Sequence, residues 1–300
     1  MPASNQRFLQ PQIVAQLATM ELRAATVVEG MISGLHRSPV RGLSIEFAEY
    51  RRYEPGDEPK RIDWKAYARS DKFYVKEFED ETNMDAHIIL DASASMGFGS
   101  EGQLTKWQYG GTMAASLAYI LQRQKDAVGL VVLDEEIRVE MQAKNTRGHL
   151  IQVIGEMERV KPSRQTRLAD VLHRVAAKLK RRGMRILISD LLDDPAGVLS
   201  ALQHLQFGGN DVIVFHTLDS AELRFDFEGP SLFVEPETNA IVPAMAEDVK
   251  KHYLDALRAF LDTYSEEMGK ANIAYTLIDT SEPLDRALLA FLGQSARMRS

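Results

Sequence analysis

The chain has 300 residues, 45% of them hydrophobic and 26% charged, with a formal net charge of −7, which suits a globular protein and argues against nucleic acid as a partner. It contains no cysteine, which excludes disulfides, thiolate nucleophiles and Cys-ligated metal sites. We find no transmembrane-length apolar stretch and no signal-peptide pattern, so we expect a cytoplasmic protein without membrane insertion.

The first part of the chain predicts a helix followed by a β-rich arm. Residues 10–32 carry apolar side chains at helical spacing, and we expect Gly34 and Pro39 to end that helix. Residues 35–83 combine dense charge with aromatics, and two short alternating segments there predict strands. The aromatics among charges suit either docking of a partner or packing within the chain.

The remainder, residues 84–300, alternates strands and helices. This alternation predicts an α/β fold with a mainly parallel sheet and helices on both faces. Strands over 127–134 and 137–143 are too close for a crossover, so we expect that pair to be antiparallel. A helix over 166–183 is expected to end at Gly183, after a run of basic residues. The segment at about 221–245 predicts an inserted hairpin. The predicted domains are 1–34 (N-terminal helix), 35–83 (charged aromatic arm) and 84–300 (α/β domain).

Oxygen-bearing side chains follow two of the predicted strands. Asp91, Ser93 and Ser95 alternate along DASAS after the first buried strand, and Asp190 ends another strand, with Thr166 between them at the start of a helix. Open α/β sheets bind ligands at the carboxyl ends of their strands. Two carboxylates and three hydroxyls suit Mg²⁺, and the sequence leaves Mn²⁺ and Ca²⁺ open. An ion with an open coordination position would attract a carboxylate from outside.

Each of these residues also has a structural reading. Thr166 could simply cap its helix, a role for which Ser163 competes. Asp190 could cap the following helix, although Asp193 and Asp194 are better placed for that. His87, inside the first buried strand, is expected to be a packed core residue rather than a metal ligand.

The order of these side chains resembles the metal-ion-dependent adhesion site of von Willebrand factor A domains. The resemblance covers roughly residues 84–295, and many such domains have Gly where this chain has Leu191. It implies that five residues hold the ion: Asp91, Ser93, Ser95, Thr166 and Asp190.

An upstream signature looks like the bacterial family called domain of unknown function 58, in which it precedes a von Willebrand A-like region. The signature comprises RYEPGD (52–57), RIDW (61–64), Ala68-Arg69 and KEFE (76–79). The resemblance implies a non-enzymatic, metal-dependent interaction module. It implies an adaptor or co-chaperone that works with a MoxR-type AAA+ ATPase, on a client that presents an acidic side chain.

The alternatives are an enzyme and a purely structural protein with an empty site. A magnesium-dependent phosphohydrolase of the haloacid-dehalogenase type would use Asp91 as its nucleophile, but it needs an aspartate where this chain has Ser93. The phosphate-binding loop and the serine-hydrolase elbow are missing from the sequence, and no dinucleotide fingerprint directly follows a predicted strand. We therefore expect no enzymatic activity.

Overall fold

A computed structural model describes residues 19–35, 50–52, 74–76, 84–163, 167–234 and 240–299. The chain divides into two compact units, one made of residues 1–38 with 84–300 and the other of residues 39–83.

The smaller unit contains a short antiparallel pair. β1 (Tyr50–Arg52) pairs with β2 (Tyr74–Lys76), and Arg51 lies opposite Val75. These strands fall within the two alternating segments of the predicted arm. The rest of that arm lies outside the described residues.

The larger unit is built on a six-stranded sheet. Its strands are β3 (Asp85–Asp91), β4 (Ala127–Leu133), β5 (Ile137–Lys144), β6 (Gly183–Ser189), β7 (Asp211–Leu218) and β10 (Ala274–Asp279). They lie in the order β10-β7-β6-β3-β4-β5. All neighbours are parallel except β4 and β5, which are antiparallel. The structure confirms the predicted fold class and the antiparallel edge strand.

Helices cover both faces of this sheet. They are α1 (Met20–Leu35), α2 (Lys106–Arg123), α3 (Arg147–Arg159), α4 (Leu168–Lys178), α5 (Pro195–Gln206), α6 (Ser220–Arg224), α7 (Ala246–Lys270) and α8 (Leu284–Arg299). α2, α3 and α8 lie on one face, where α1 packs against all three, and α4, α5 and α7 lie on the other. The central strands are buried on both sides: all seven residues of β6 are buried. Their near-continuous apolar sequences follow from this double cover.

Two helix ends differ from the sequence-based expectation. α1 continues through Gly34 to Leu35. α4 ends at Lys178, and Gly183 begins β6 instead of closing the helix. At Gly183 an added Cβ would lie 1.9 Å from the carbonyl oxygen of Asp85, so the glycine permits close approach of β6 to β3.

A two-stranded hairpin is inserted between α6 and α7. β8 (Pro230–Val234) pairs with β9 (Ile241–Met245) in antiparallel register. On one face, the ring of Phe233 lies 5.5 Å from that of Phe225. The opposite face consists of exposed apolar side chains: Pro230, Leu232, Val234, Ile241, Pro243 and Met245.

Candidate metal centre

The carboxyl ends of β3 and β6 bring two aspartates to one edge of the sheet. β3 ends at Asp91, and Asp190 directly follows β6, its parallel neighbour. Both side chains are fully buried. Each aspartate is where the alternation of strands and helices predicted it.

The DASAS segment leaves β3 in a tight turn that holds its oxygens together. The backbone N–H of Ser93 donates to Oδ1 of Asp91 over 2.9 Å, and Ala94–Gly97 then form one turn of 3₁₀ helix. The Oγ atoms of Ser93 and Ser95 lie 3.0 Å apart, and both residues are buried. One carboxylate and two hydroxyls therefore share a small interior volume at the end of the strand.

Ser189 is a further member of this cluster. Its hydroxyl donates to Oδ2 of Asp91 over 2.6 Å and accepts from the N–H of Leu191 over 2.9 Å. The sequence offered little signal for this residue, because it looks like any small side chain inside a buried strand. Its contact depends on the pairing of β3 with β6.

A buried lysine lies against the second aspartate. Nζ of Lys106 is 2.8 Å from Oδ2 of Asp190 and 2.8 Å from Oε1 of Glu222, and the lysine side chain is 0% exposed. Burial by itself lowers the pKa of Lys106, but the two carboxylates outweigh it and hold that pKa above its usual value. Lys106 was not among the site residues predicted from the sequence. A signal was present, since a lysine in the first turn of a helix opposes the helix dipole and needs another partner.

Burial shifts the charge balance of the first aspartate. It raises the pKa of Asp91 to about 7, and the nearby Asp190 carboxylate adds to that shift. Hydrogen bonds from Ser189 and Ser93 work in the opposite direction. A cation would lower the cost of keeping two carboxylates ionised at this edge.

The residues that were considered as helix caps differ in their roles. Thr166 lies outside the described residues. Ser163 is engaged elsewhere, since its hydroxyl accepts from Nη1 of Arg138 over 3.2 Å. Asp194 caps α5 by accepting from the N–H of Gly197 over 2.9 Å, and Asp193 accepts from the first turn of α4. Asp190 is therefore not needed as a cap.

The donor chemistry fits a hard cation. Side-chain oxygens of Asp91, Ser93, Ser95 and Asp190 are buried at one edge, and Lys106 already places a positive charge on one of them. Within the described ranges, no group of three or more His, Cys, Asp or Glu side chains could hold an ion. Any ion here would depend on hydroxyls and water as well as on two carboxylates.

His87 lies away from this edge. It is 7% exposed in the interior of β3, and its Nδ1 is 3.3 Å from Nη1 of Arg185. A core role, as expected from the sequence, fits this position.

The chain matches a known protein family. A family model described as "Protein of unknown function DUF58" matches residues 49–260. The chain belongs to this family. The match includes the upstream signature and the sheet through β7, so it confirms the resemblance of that signature to the family called domain of unknown function 58.

Curated relatives of this DUF58 protein include uncharacterized proteins of two mycobacteria. Rv1480 of Mycobacterium tuberculosis and Mb1516 of Mycobacterium bovis are each 24% identical over 246 residues, which cover 79% of this chain and 77% of the relative. Neither name states an activity.

Solved structures that resemble this chain have lower sequence identity to it than the curated relatives have. The conserved hypothetical protein BatB of Bacteroides thetaiotaomicron has a TM-score of 0.46 at 13% identity, with 71% of this chain and 97% of that chain covered. The SpRpn10 VWA domain has a TM-score of 0.38 at 14% identity, with 72% and 96% covered. The family assignment rests on the sequence match, not on these scores.

Across the part of the chain that the structure describes, no helix combines the length and apolar character needed to span a bilayer.

Proposed function

We propose that this DUF58 protein is a non-enzymatic interaction module whose divalent ion binds an acidic side chain of a partner. The ion, Mg²⁺ or else Mn²⁺ or Ca²⁺, would be held by Asp91, Ser93, Ser95, Thr166 and Asp190. The observation that carries the proposal is the buried set of side-chain oxygens where β3 and β6 end. Cations of this class prefer oxygen ligands and commonly retain water, which a carboxylate can replace.

The surroundings of Asp91 favour binding over catalysis. Both of its carboxylate oxygens accept hydrogen bonds, one from Ser93 and one from Ser189. Each oxygen accepts one of these bonds and keeps lone-pair capacity for an ion. A nucleophilic carboxylate needs in addition a nearby acid or base. In this chain Ser93 occupies the position where a phosphohydrolase would need its second aspartate.

The hairpin supplies a second feature that suits an interaction protein. β7 ends at the same edge as the candidate metal centre, and the hairpin is inserted between β7 and α7. Its exposed face is wholly apolar, including Leu232 at 69% and Ile241 at 60% exposure. Exposed apolar patches of this kind often mark protein-binding surfaces. The partner would present a carboxylate to the ion and apolar side chains to this face.

The partners we propose are a MoxR-type AAA+ ATPase and its client protein. The chain would act as an adaptor or co-chaperone in the cytoplasm, and the ATPase would supply the energy of nucleotide hydrolysis. The family signature supports this partnership. Because the chain itself lacks a phosphate-binding loop, nucleotide hydrolysis would have to take place in the partner.

A pull-down with Asp91→Ala tests this function. Wild type, Asp91→Ala and Asp262→Ala are each used as bait, with Mg²⁺ and with chelator. Asp262 is an exposed carboxylate on α7, so its variant controls for lost charge. We expect the ATPase or its client to be retained by wild type and Asp262→Ala only with Mg²⁺, and not by Asp91→Ala. Equal retention by all three in chelator contradicts the proposal.

A further inference from the structure

The cation that lies on Asp190 belongs to the protein itself. Lys106 is the first residue of α2, its side chain is fully buried, and its ammonium contacts Oδ2 of Asp190 at 2.8 Å. The other oxygen, Oδ1, accepts from the N–H of Leu192 over 3.3 Å. Asp190 therefore has no oxygen that is free of a donor, and an ion that uses this carboxylate must share it with Lys106 or displace it.

Glu222 is a second carboxylate partner of the lysine. Its Oε1 is 2.8 Å from Nζ of Lys106, and its Oε2 accepts from the N–H of Asp219 in the cap of α6. This hydrogen bond fixes Glu222 beside the lysine. If Lys106 leaves Asp190, it keeps a carboxylate partner, so no buried charge is left unpaired.

We propose that Lys106 is a built-in competitor of the divalent ion, which binds by displacing the lysine ammonium from Asp190 onto Glu222. This inference rests on the proposed metal site. Without the ion, Lys106 neutralises Asp190 and keeps the edge of the sheet intact. With the ion, the Lys106–Glu222 pair carries the displaced charge.

The competition sets the affinity of the site. A positive charge at 2.8 Å from Asp190 cancels much of the attraction that this carboxylate offers to a second cation. Ion binding would also change the electrostatic surroundings of Glu222, which lies on α6. Ion occupancy is thereby linked to the helix that precedes the exposed hairpin.

Calorimetric titration of the full chain with Mn²⁺ tests the competition. The variants are Lys106→Met, which removes the competitor while keeping an unbranched side chain, and Glu222→Gln, which removes the place to which it moves. Lys178→Met is the matched control, since Lys178 pairs with Glu140 on the surface. Circular dichroism establishes that each variant is folded.

The two variants should shift affinity in opposite directions. We expect Lys106→Met to bind Mn²⁺ about tenfold more tightly than wild type, because the repelling charge is gone. Glu222→Gln should bind about tenfold more weakly, because Lys106 then depends on Asp190 alone. Lys178→Met should match wild type. The effect of Glu222→Gln should shrink in the double variant with Lys106→Met, since its partner is then absent.

The outcomes separate this inference from the proposed function. If wild type binds Mn²⁺ and Lys106→Met binds equally or more weakly, the competition is overturned and the metal site stands. If Lys106→Met fails to fold, Glu222→Gln decides, and unchanged or tighter binding overturns the competition. If neither wild type nor folded Lys106→Met binds Mn²⁺, both the metal site and the competition are overturned. Binding by Lys106→Met alone supports the competition and contradicts an ion in the wild-type protein.

Discussion

The hydroxyl of Ser189 donates a 2.6 Å hydrogen bond to Oδ2 of Asp91 and so joins the ends of β6 and β3 beneath the candidate metal centre. Both residues are fully buried. A buried carboxylate that loses a donor bears a desolvation cost, so this bond matters for stability as well as for the position of Asp91.

We therefore expect Ser189→Ala to lower the free energy of unfolding by about 2 kcal/mol, as measured by urea denaturation. Ser116→Ala is the control. Ser116 is also buried, but its hydroxyl only donates to a carbonyl of its own helix, that of Thr112. The control should cost less than about 1 kcal/mol, because alanine favours the helix. Equal losses in the two variants would contradict a special role for the Ser189–Asp91 bond.

Gly183→Ala should be one of the most damaging small changes in the sheet. The new Cβ would lie 1.9 Å from the carbonyl oxygen of Asp85, so β6 must move away from β3. We expect a loss of about 3 kcal/mol or more in unfolding free energy. Gly155→Ala, in α3, meets no atom within 4 Å and should instead stabilise the protein by up to about 1 kcal/mol. A thermal melt that shows Gly183→Ala to be neutral would refute this close approach.

The stability of the protein should fall in mild acid partly because of His87. Burial lowers its pKa from 6.5 to about 4, and Arg185 adds to that shift. Between those values the unfolded chain binds a proton that the native protein does not. The contribution of His87 to the free energy of unfolding is therefore complete above pH 6.5. It decreases by about 3 kcal/mol as the pH falls to 4.

Denaturation at several pH values checks this. His87→Gln should have a shallower decline between pH 6.5 and 4 than wild type. The decline should not vanish, since burial also lowers the pKa of His216 to about 4. The exposed His252 supplies the control His252→Gln, which should leave the profile unchanged. Parallel profiles for wild type and His87→Gln would rule out this contribution.

Neighbouring residues of β8 should separate folding from partner binding. Leu232→Ser alters a side chain that is 69% exposed and should change stability by less than about 0.5 kcal/mol. Phe233→Ser removes the ring that stacks on Phe225 and should cost more than about 1 kcal/mol. Leu232→Ser should nevertheless reduce partner retention in the pull-down. Full retention by this variant would remove the hairpin face from the proposed interface.

The sheet and the positions of four candidate ligands could be predicted because they depend on local patterns. Buried strands alternate with amphipathic helices, and parallel strands end at one edge, so Asp91 and Asp190 were expected at the same edge of the sheet. That they end neighbouring strands follows from the observed pairing of β3 with β6. The position of Ser93 and Ser95 beside Asp91 followed from their spacing in a tight turn. Thr166 lies outside the described residues and stays a prediction.

Other features of the site depend on contacts that one segment cannot reveal. Lys106 and Asp190 are 84 positions apart, and their contact exists only because α2 begins beside the end of β6. Gly183 follows a basic run, which is typical of a helix end, while its real role depends on the distance to β3. Asp193 lies in a different loop and accepts a hydrogen bond from the N–H of Ala169 in the first turn of α4. Each of these is a consequence of tertiary packing.

The most direct measurement is a calorimetric titration of wild type and Asp91→Ala with Mg²⁺, with Asp262→Ala as the charge-matched control. We expect wild type and Asp262→Ala to bind one Mg²⁺ each and folded Asp91→Ala to bind none. Identical heats for all three proteins would contradict a metal centre at the ends of β3 and β6.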